Sequence, residues 1–392
     1  MSATGRWRFS NVDALRKFHP ANLAAFLRRF QPYLDQRGLA LPDQPDADTL
    51  PYEKLVPLFM QIDADTPPPL IETMFFVSEM STEPNRRRIE EEAQFRRLEI
   101  RTHAGCTHHD FALLAWLQYP DLLEQVHARV VLHQKRAFHY YPVFPDEIPE
   151  HRLPTSEDLQ GVETTLDLLF SANDQGRKTK ILMYPETERG EIWFLVRHGG
   201  TPARVAGYDL ENREISLLFR PEEYDVLIYD TRHGLLRINA KKYHDGYRQY
   251  FGQLLFADIL MFREKQVFTL DPLPTVDVRL LRGAETEGIA CIRLVEVKYD
   301  KPGARLITIL ERSTDLLDDP RRGRSSAETP LYTHHAIFEV TFTGQRTARK
   351  VKLTNGNVAS YSSDADSTAL EAWLRRCGFL RRYGVCRDVA AA

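Results

Sequence analysis

The sequence predicts an α+β protein: an N-terminal all-helical domain, then a β-rich domain of meander- or sandwich-like sheet packed on one long aromatic helix, with a basic helix at the C-terminal end. Three observations carry this. Residues 191–197, 215–219, 224–229 and 235–239 are short β-branched and aromatic runs cut by turn residues such as Gly199, Gly200, Pro202, Pro221 and Gly234, the signature of a β-meander. From 241 to 262 the apolar period changes, and Tyr243, Tyr247, Tyr250, Phe251, Leu254, Leu255 and Met261 recur at helical spacing on one broad face. In the first 140 residues the apolar positions follow the helical period.

Taken in order, residues 22–36 place Leu23, Phe26, Leu27, Phe30 and Leu34 on one helical face, with Gly38 as the stop. A loop (42–48), a short helix (52–61) and an apolar helix (69–80) behind Pro67 and Pro68 follow. Residues 85–98 mix charges at helical spacing, which makes a solvated face laced by weak ion pairs. Thr107 and Asp110 form a capping box that opens a helix at Phe111, and a further helical run covers 120–136. Pro142, Pro145, Pro149 and Pro154 then read as an extended linker, so the helical domain spans 1–140 and the linker 141–154.

Thr155 and Asp158 make a second capping box, before a helix carrying Leu159, Val162, Leu166 and Leu169. A strand at 180–184 starts the central domain, 155–275, which holds the meander and the long helix. In that helix Gly246 and Gly252 call for close backbone approach or a bend, and Asp258 falls on the apolar seam, at its edge or paired with an arginine. The C-terminal part, 276–392, continues a β pattern begun at 267–270, with strands at 276–281, 289–299, 305–311, 335–342 and 348–353 and a charged loop at 315–330. Thr368 and Glu371 cap the last helix, with Leu370, Trp373, Leu374 and Cys377 on one face and Gly378 as its stop.

A chain of 392 residues exceeds what one hydrophobic core usually organises. It has no apolar run of membrane-crossing length and no signal-peptide core at its start, so a cytoplasmic protein is expected. The four cysteines, Cys106, Cys291, Cys377 and Cys386, are scattered without a C-x-x-C pair, which argues against a disulfide scaffold and a cysteine-rich zinc module. Arginine far outnumbers lysine, as in chains from GC-rich coding genomes, so a bacterial source is expected. A net charge of −3 argues against a protein coated in nucleic acid.

The P-loop, dinucleotide, nucleophile-elbow and H-E-x-x-H signatures are absent. His103, Cys106, His108 and His109 are an alternative set of metal ligands on chemistry, but their spacing fits no zinc pattern; the capping box explains the segment, and no metal or cofactor is assigned. Asp277 ahead of Glu296-Val297-Lys298 is an acid followed by acid-x-Lys, which can hold Mg²⁺ while the lysine steadies a phosphate. The pattern resembles that of the PD-(D/E)xK restriction-type nucleases. It departs from it in having Val276 where that motif has proline and a strand where that fold has a helix.

Near the C-terminus Arg346, Arg349, Lys350, Arg375, Arg376, Arg381, Arg382 and the interleaved Tyr383 form a basic end suited to phosphates, bases or an acidic partner. The expected role is a non-catalytic accessory or adaptor subunit of a larger complex, with a protein partner and with DNA or RNA at the basic end, as in a phage-defence system. The alternative is a metal-dependent nuclease using Asp277, Glu296 and Lys298.

Overall fold

A computed structural model describes residues 8–61, 63, 65–144, 148–208, 213–284, 286–301, 306–318, 330–361 and 366–381. The chain divides into two compact units, residues 1–131 with 205–217 and residues 132–204 with 218–392.

The first unit is helical: α1 (Val12–Leu15), α2 (Pro20–Arg28), α3 (Gln31–Gln36), α4 (Tyr52–Met60), α5 (Pro68–Met80), α6 (Glu83–Phe95), α7 (His108–Gln118) and α8 (Pro120–Gln134), whose last turn crosses the division. The expected helix at 22–36 is two helices, because Pro32 sits in the first turn of α3, where its missing N–H is harmless. Gly38 follows in the left-handed region at φ 63°. Charged α6 is laced by Arg86–Glu90 (2.9 Å) and Arg96–Glu92 (2.7 Å) pairs along its own face. Phe9, Phe18, Phe26, Phe59, Leu113 and Ala115 are fully or almost fully buried in one core.

The second unit is built on a ten-stranded antiparallel sheet. From residue 137 on, the elements are β1 (Ala137–Pro142), α9 (Ser156–Ser171), β2 (Lys180–Glu186), β3 (Glu191–Gly199), the pair β4 (Ala203–Tyr208) and β5 (Glu214–Phe219), most of which falls in residues 205–217 and so counts with the first unit, β6 (Glu222–Asp230), β7 (Leu235–Asn239), α10 (His244–Phe256), α11 (Val278–Leu281), β8 (Ile289–Lys301), β9 (Ile307–Arg312), β10 (Tyr332–Phe342), β11 (Arg349–Thr354), β12 (Val358–Ser360) and α12 (Ser367–Arg376). The strand order is β2-β3-β6-β7-β1-β12-β11-β10-β8-β9. β4 and β5 form a separate two-stranded sheet, so the expected strand at 215–219 leaves the meander, and β3 pairs directly with β6.

β1 joins the two halves of the sheet, pairing with β7 on one side and β12 on the other. Residues 141 and 142 of the expected linker therefore belong to a strand. Pro142 ends that strand, where a missing donor is tolerated. Val143 N donates to Gly234 O at 2.8 Å and Arg152 N to Leu255 O at 3.1 Å, so further parts of the stretch are tied to the unit. The expected break between 275 and 276 falls inside this unit, whose sheet is continuous across it.

Alternation places Ile192, Phe194, Val196, Leu227, Leu236 and Ile238 on the face covered by α9 and α10, against Phe170, Tyr247, Phe251 and Leu255. The Thr155–Asp158 capping box that starts α9 is complete. On the opposite face α12 packs Trp373 against Phe338, ring centroids 5.1 Å apart. α12 starts after Asp366 with no side-chain cap, so the expected Thr368 box lies inside the helix; Gly378, at φ 74°, ends it. The expected strand at 276–281 is helix α11, because the Asp277 side chain accepts from Arg279 N at 2.7 Å and closes a turn. Among the described residues no helix is long and apolar enough to cross a membrane.

α10 is shorter than its pattern. Ala257 takes the left-handed region at φ 58°, and Asp258, expected on the seam, is exposed and binds Leu260 N at 2.8 Å. Gly252 permits this reversal: a Cβ there would lie 2.5 Å from Asp258 O. Gly252→Ala should therefore destabilise by about 1–3 kcal/mol in denaturant unfolding, outweighing the roughly 1 kcal/mol that alanine gains in a helix. A variant as stable as the wild type would mean that the reversal is free to withdraw.

Candidate functional site

The histidine-rich segment of the helical unit forms a compact polar cluster. Thr107 caps α7, its Oγ1 accepting from Asp110 N at 3.2 Å and donating to Lys17 O at 3.1 Å. The Asp110 carboxylate does not complete a capping box. It is buried, and it takes hydrogen bonds from His19 N (2.9 Å) and from Asn22 Nδ2 (3.0 and 2.9 Å). His103 Nε2 lies 2.5 Å from Asp110 Oδ2 and Cys106 Sγ 3.8 Å from the same oxygen. His103 and Cys106 are thus brought together with Asp110, whereas His108 and His109 lie ring to ring at a tilt (centroids 4.2 Å apart) and are not part of that group, His109 edge-on to Phe18. The hydrogen bond that His103 donates to Asp110, helped by the one to the Ala104 carbonyl, holds the imidazole above its usual value. Burial, then the Asp110 charge, pushes the Cys106 thiol up to about 11. That thiol is no nucleophile at neutral pH.

The basic end is divided among tasks. Arg349 pairs with Asp366 at 3.0 Å and Arg375 with Glu371 at 3.2 Å. Arg346, Lys350 and Arg381 are exposed, and their charged groups meet no partner among the described residues. Arg382 and Tyr383 lie outside the described residues. Arg376 lines a cleft of about 310 Å³ with Asp277, Arg279, Leu280 and Ala284. This adjoins a shallow cleft of about 530 Å³ lined by Arg279, Arg282, Thr286 and Glu287 among others.

Asp277 and Glu296 have structural partners of their own, and Lys298 shares a strand with Glu296. Asp277 caps α11. Glu296, on β8, is held by His335 at 2.8 Å and by Arg312, which keep its carboxyl below the usual range. Lys298 lies two positions along the same strand, opposite Leu310 of β9.

A charged core on the α12 face went unread in the sequence. Arg237, 1 % exposed on β7, pairs with Glu191 and lies 3.7 Å from Asp230 and 3.8 Å from Glu371. Trp193 Nε1 donates to Glu191 at 2.8 Å, Tyr361 donates to Glu371 at 3.1 Å, and His233 Nδ1 meets Asp230 at 2.8 Å. Burial alone would raise the Asp230 carboxyl, yet His233 and Arg237 hold it below its usual range. Asp230, His233 and Glu371 converge as metal ligands do, but the guanidinium already supplies the cation. The available signal was an arginine inside the apolar run Leu235-Leu236-Arg237-Ile238.

The second missed feature is an edge. β9 ends the large sheet, and among the described residues nothing pairs with its outer side. Leu306, Ile307 and Leu310 on this edge are exposed, Leu306 by 69 %. Beside them Asp300 of β8 pairs with both Thr308 and Tyr332, which brings exposed Leu331 and Tyr332 to the same end of the sheet. In comparisons with known proteins, no family model and no curated protein matches the chain.

Proposed function

We infer that the chain is a non-catalytic accessory subunit that docks a protein partner along β9. The observation that carries this is the outer edge of a ten-stranded sheet, the six-residue strand β9, which no described strand pairs and which exposes Leu306, Ile307 and Leu310 at its start. Soluble proteins blunt such edges with charge, proline or a covering element, because the open N–H and C=O row templates pairing with another chain. An edge left apolar fits addition of a partner strand, with Leu306, Ile307, Leu310, Leu331 and Tyr332 as the contacts that select it. The groups suited to catalysis point the same way, since Asp277 and Glu296 are spent on a cap and on ion pairs.

Purification of the tagged chain from its own cells, compared with an Ile307→Lys/Leu310→Lys variant, tests this. A co-purifying protein should be lost with the double variant, whose fold is checked by circular dichroism. An unchanged set of co-purifying proteins would overturn the reading.

A second reading rests on the cleft shared by Arg279, Arg282 and Arg376, where guanidinium groups can fork phosphate oxygens of a nucleic acid. Arg279 and Arg376 both line the narrower cleft and are the contacts to test, while Arg282 pairs with Asp315 and Asp318. If the cleft holds a nucleic-acid backbone, replacing both by Ala should weaken binding to mixed-sequence DNA and lower the log–log salt slope by about 2. The same slope in both proteins would assign the contacts elsewhere.

A further inference from the structure

We propose that His103, Cys106 and Asp110 form a binding site for a single transition-metal ion of the Zn²⁺ type, joining the loop before α7 to the first turn of α7. A soft thiolate, an imidazole and a carboxylate together suit Zn²⁺ or Co²⁺ and not Mg²⁺ or Ca²⁺, which take oxygen alone. The ligand atoms Nε2, Sγ and a carboxylate oxygen lie within 4.8 Å of one another. Zinc bonds of roughly 2.0–2.3 Å give tetrahedral edges of about 3.3–3.7 Å. The Sγ–Oδ2 separation of 3.8 Å is near that already. The Nε2–Oδ2 contact of 2.5 Å must open by about 0.8 Å to reach it. His103 can make that movement, because it sits on an irregular loop and its side chain is 34 % exposed.

The surroundings are those of a ligand set. His103 Nδ1 donates to Ala104 O at 3.0 Å, the outer hydrogen bond that fixes a metal-binding imidazole with Nε2 toward the ion. Asp110 is oriented by Asn22 Nδ2 and His19 N. Entry of the ion displaces two protons, the one between His103 Nε2 and Asp110 and the one on the Cys106 thiol, and leaves a neutral imidazole and a thiolate. The fourth position is filled by water or by His19, whose ring centroid lies 4.4 Å from that of His103. His19 Nδ1 accepts from Ala21 N, which leaves Nε2 as its donor atom for a metal.

Titration of the full-length, chelator-treated protein with Co²⁺ decides the matter. One equivalent should bind and produce a thiolate-to-cobalt charge-transfer band with the strong visible absorption of a tetrahedral ion. Cys106→Ser should abolish the charge-transfer band, His103→Gln should weaken binding at least about tenfold, and His108→Ala should change neither. Zn²⁺ should raise the unfolding midpoint of the wild type and leave that of Cys106→Ser where it was. Should His103→Gln fail to fold, Cys106→Ser still decides, since it replaces one partly exposed atom. Absence of the band, or a band that survives Cys106→Ser, overturns the proposal, as does a midpoint that Zn²⁺ does not move.

Discussion

Arg237→Leu should cost the β-rich unit about 3–5 kcal/mol, the usual loss when one partner of a buried ion pair is removed and the other charge stays behind. Here the charges left behind are the carboxylates of Glu191, Asp230 and Glu371, with His233 still paired to Asp230 and Arg375 to Glu371. Leucine fills much of the volume, so the loss measures electrostatics and not an empty cavity. Urea unfolding followed by tryptophan fluorescence suits the test, because buried Trp193 bonds Glu191 and Trp373 lies on α12 beside Glu371. In the variant, burial no longer offset by the guanidinium disfavours the charged form of Asp230, so stability should recover as pH falls and the site takes up a proton. Adding Glu191→Gln and Glu371→Gln should restore part of the loss at neutral pH. A midpoint unchanged in Arg237→Leu would mean that water reaches the cluster and screens it.

How far the sequence carries a reader depends on how local each cause is. The β runs between 191 and 239, the helical period that starts at 241, the Thr155 box and the glycine stops at 38 and 378 all act within a few residues and are found in the structure, although the run at 215–219 lies outside the large sheet and the period expected to reach 262 stops at Phe256. β12 spans three residues and exists because β1 and β11 flank it, which no local pattern announces. Helix α11 turns on one side-chain oxygen, that of Asp277, in a segment whose valines and leucines favour a strand. Half of the polar cluster was legible, since His103, Cys106 and Asp110 fall within eight positions. The direction of α7 then separates His108 and His109 from them, and His19 and Asn22 arrive from a distant helix. Strand order is set by distant pairings, so the sequence could not announce that 307–312 would be an edge or that Arg237 would meet a helix from the far end of the chain.

Acid should loosen the helical unit well before its carboxylates are protonated. His127 is buried between Phe75 and Phe76, ring centroids 5.4 and 5.1 Å away, and burial depresses it to about 4. His109 is likewise buried, its Nε2 without a hydrogen-bond partner among the described residues, and burial, with His108, Arg8 and Lys17 nearby, depresses it to about 4. Above about pH 6.5, the ordinary imidazole value, both side chains are neutral whether the chain is folded or not, and stability is unaffected. As pH falls from there toward 4 the unfolded chain takes up protons that the folded unit refuses, so stability drops by up to about 3 kcal/mol at His127 and by less at His109, where solvent screens part of the effect. His103, which Asp110 holds above its ordinary value, loses its stabilising charge only as pH rises through that higher value, outside this window. Amide exchange in α7 and α8, corrected for intrinsic rates and measured without metal, should therefore show opening free energies that fall between pH 6.5 and 4.5. His127→Gln should remove more than half of that slope, because glutamine has no proton to gain. A slope equal in wild type and variant would mean that the ring charges freely in the folded unit, and that Phe75 and Phe76 do not shut it from water.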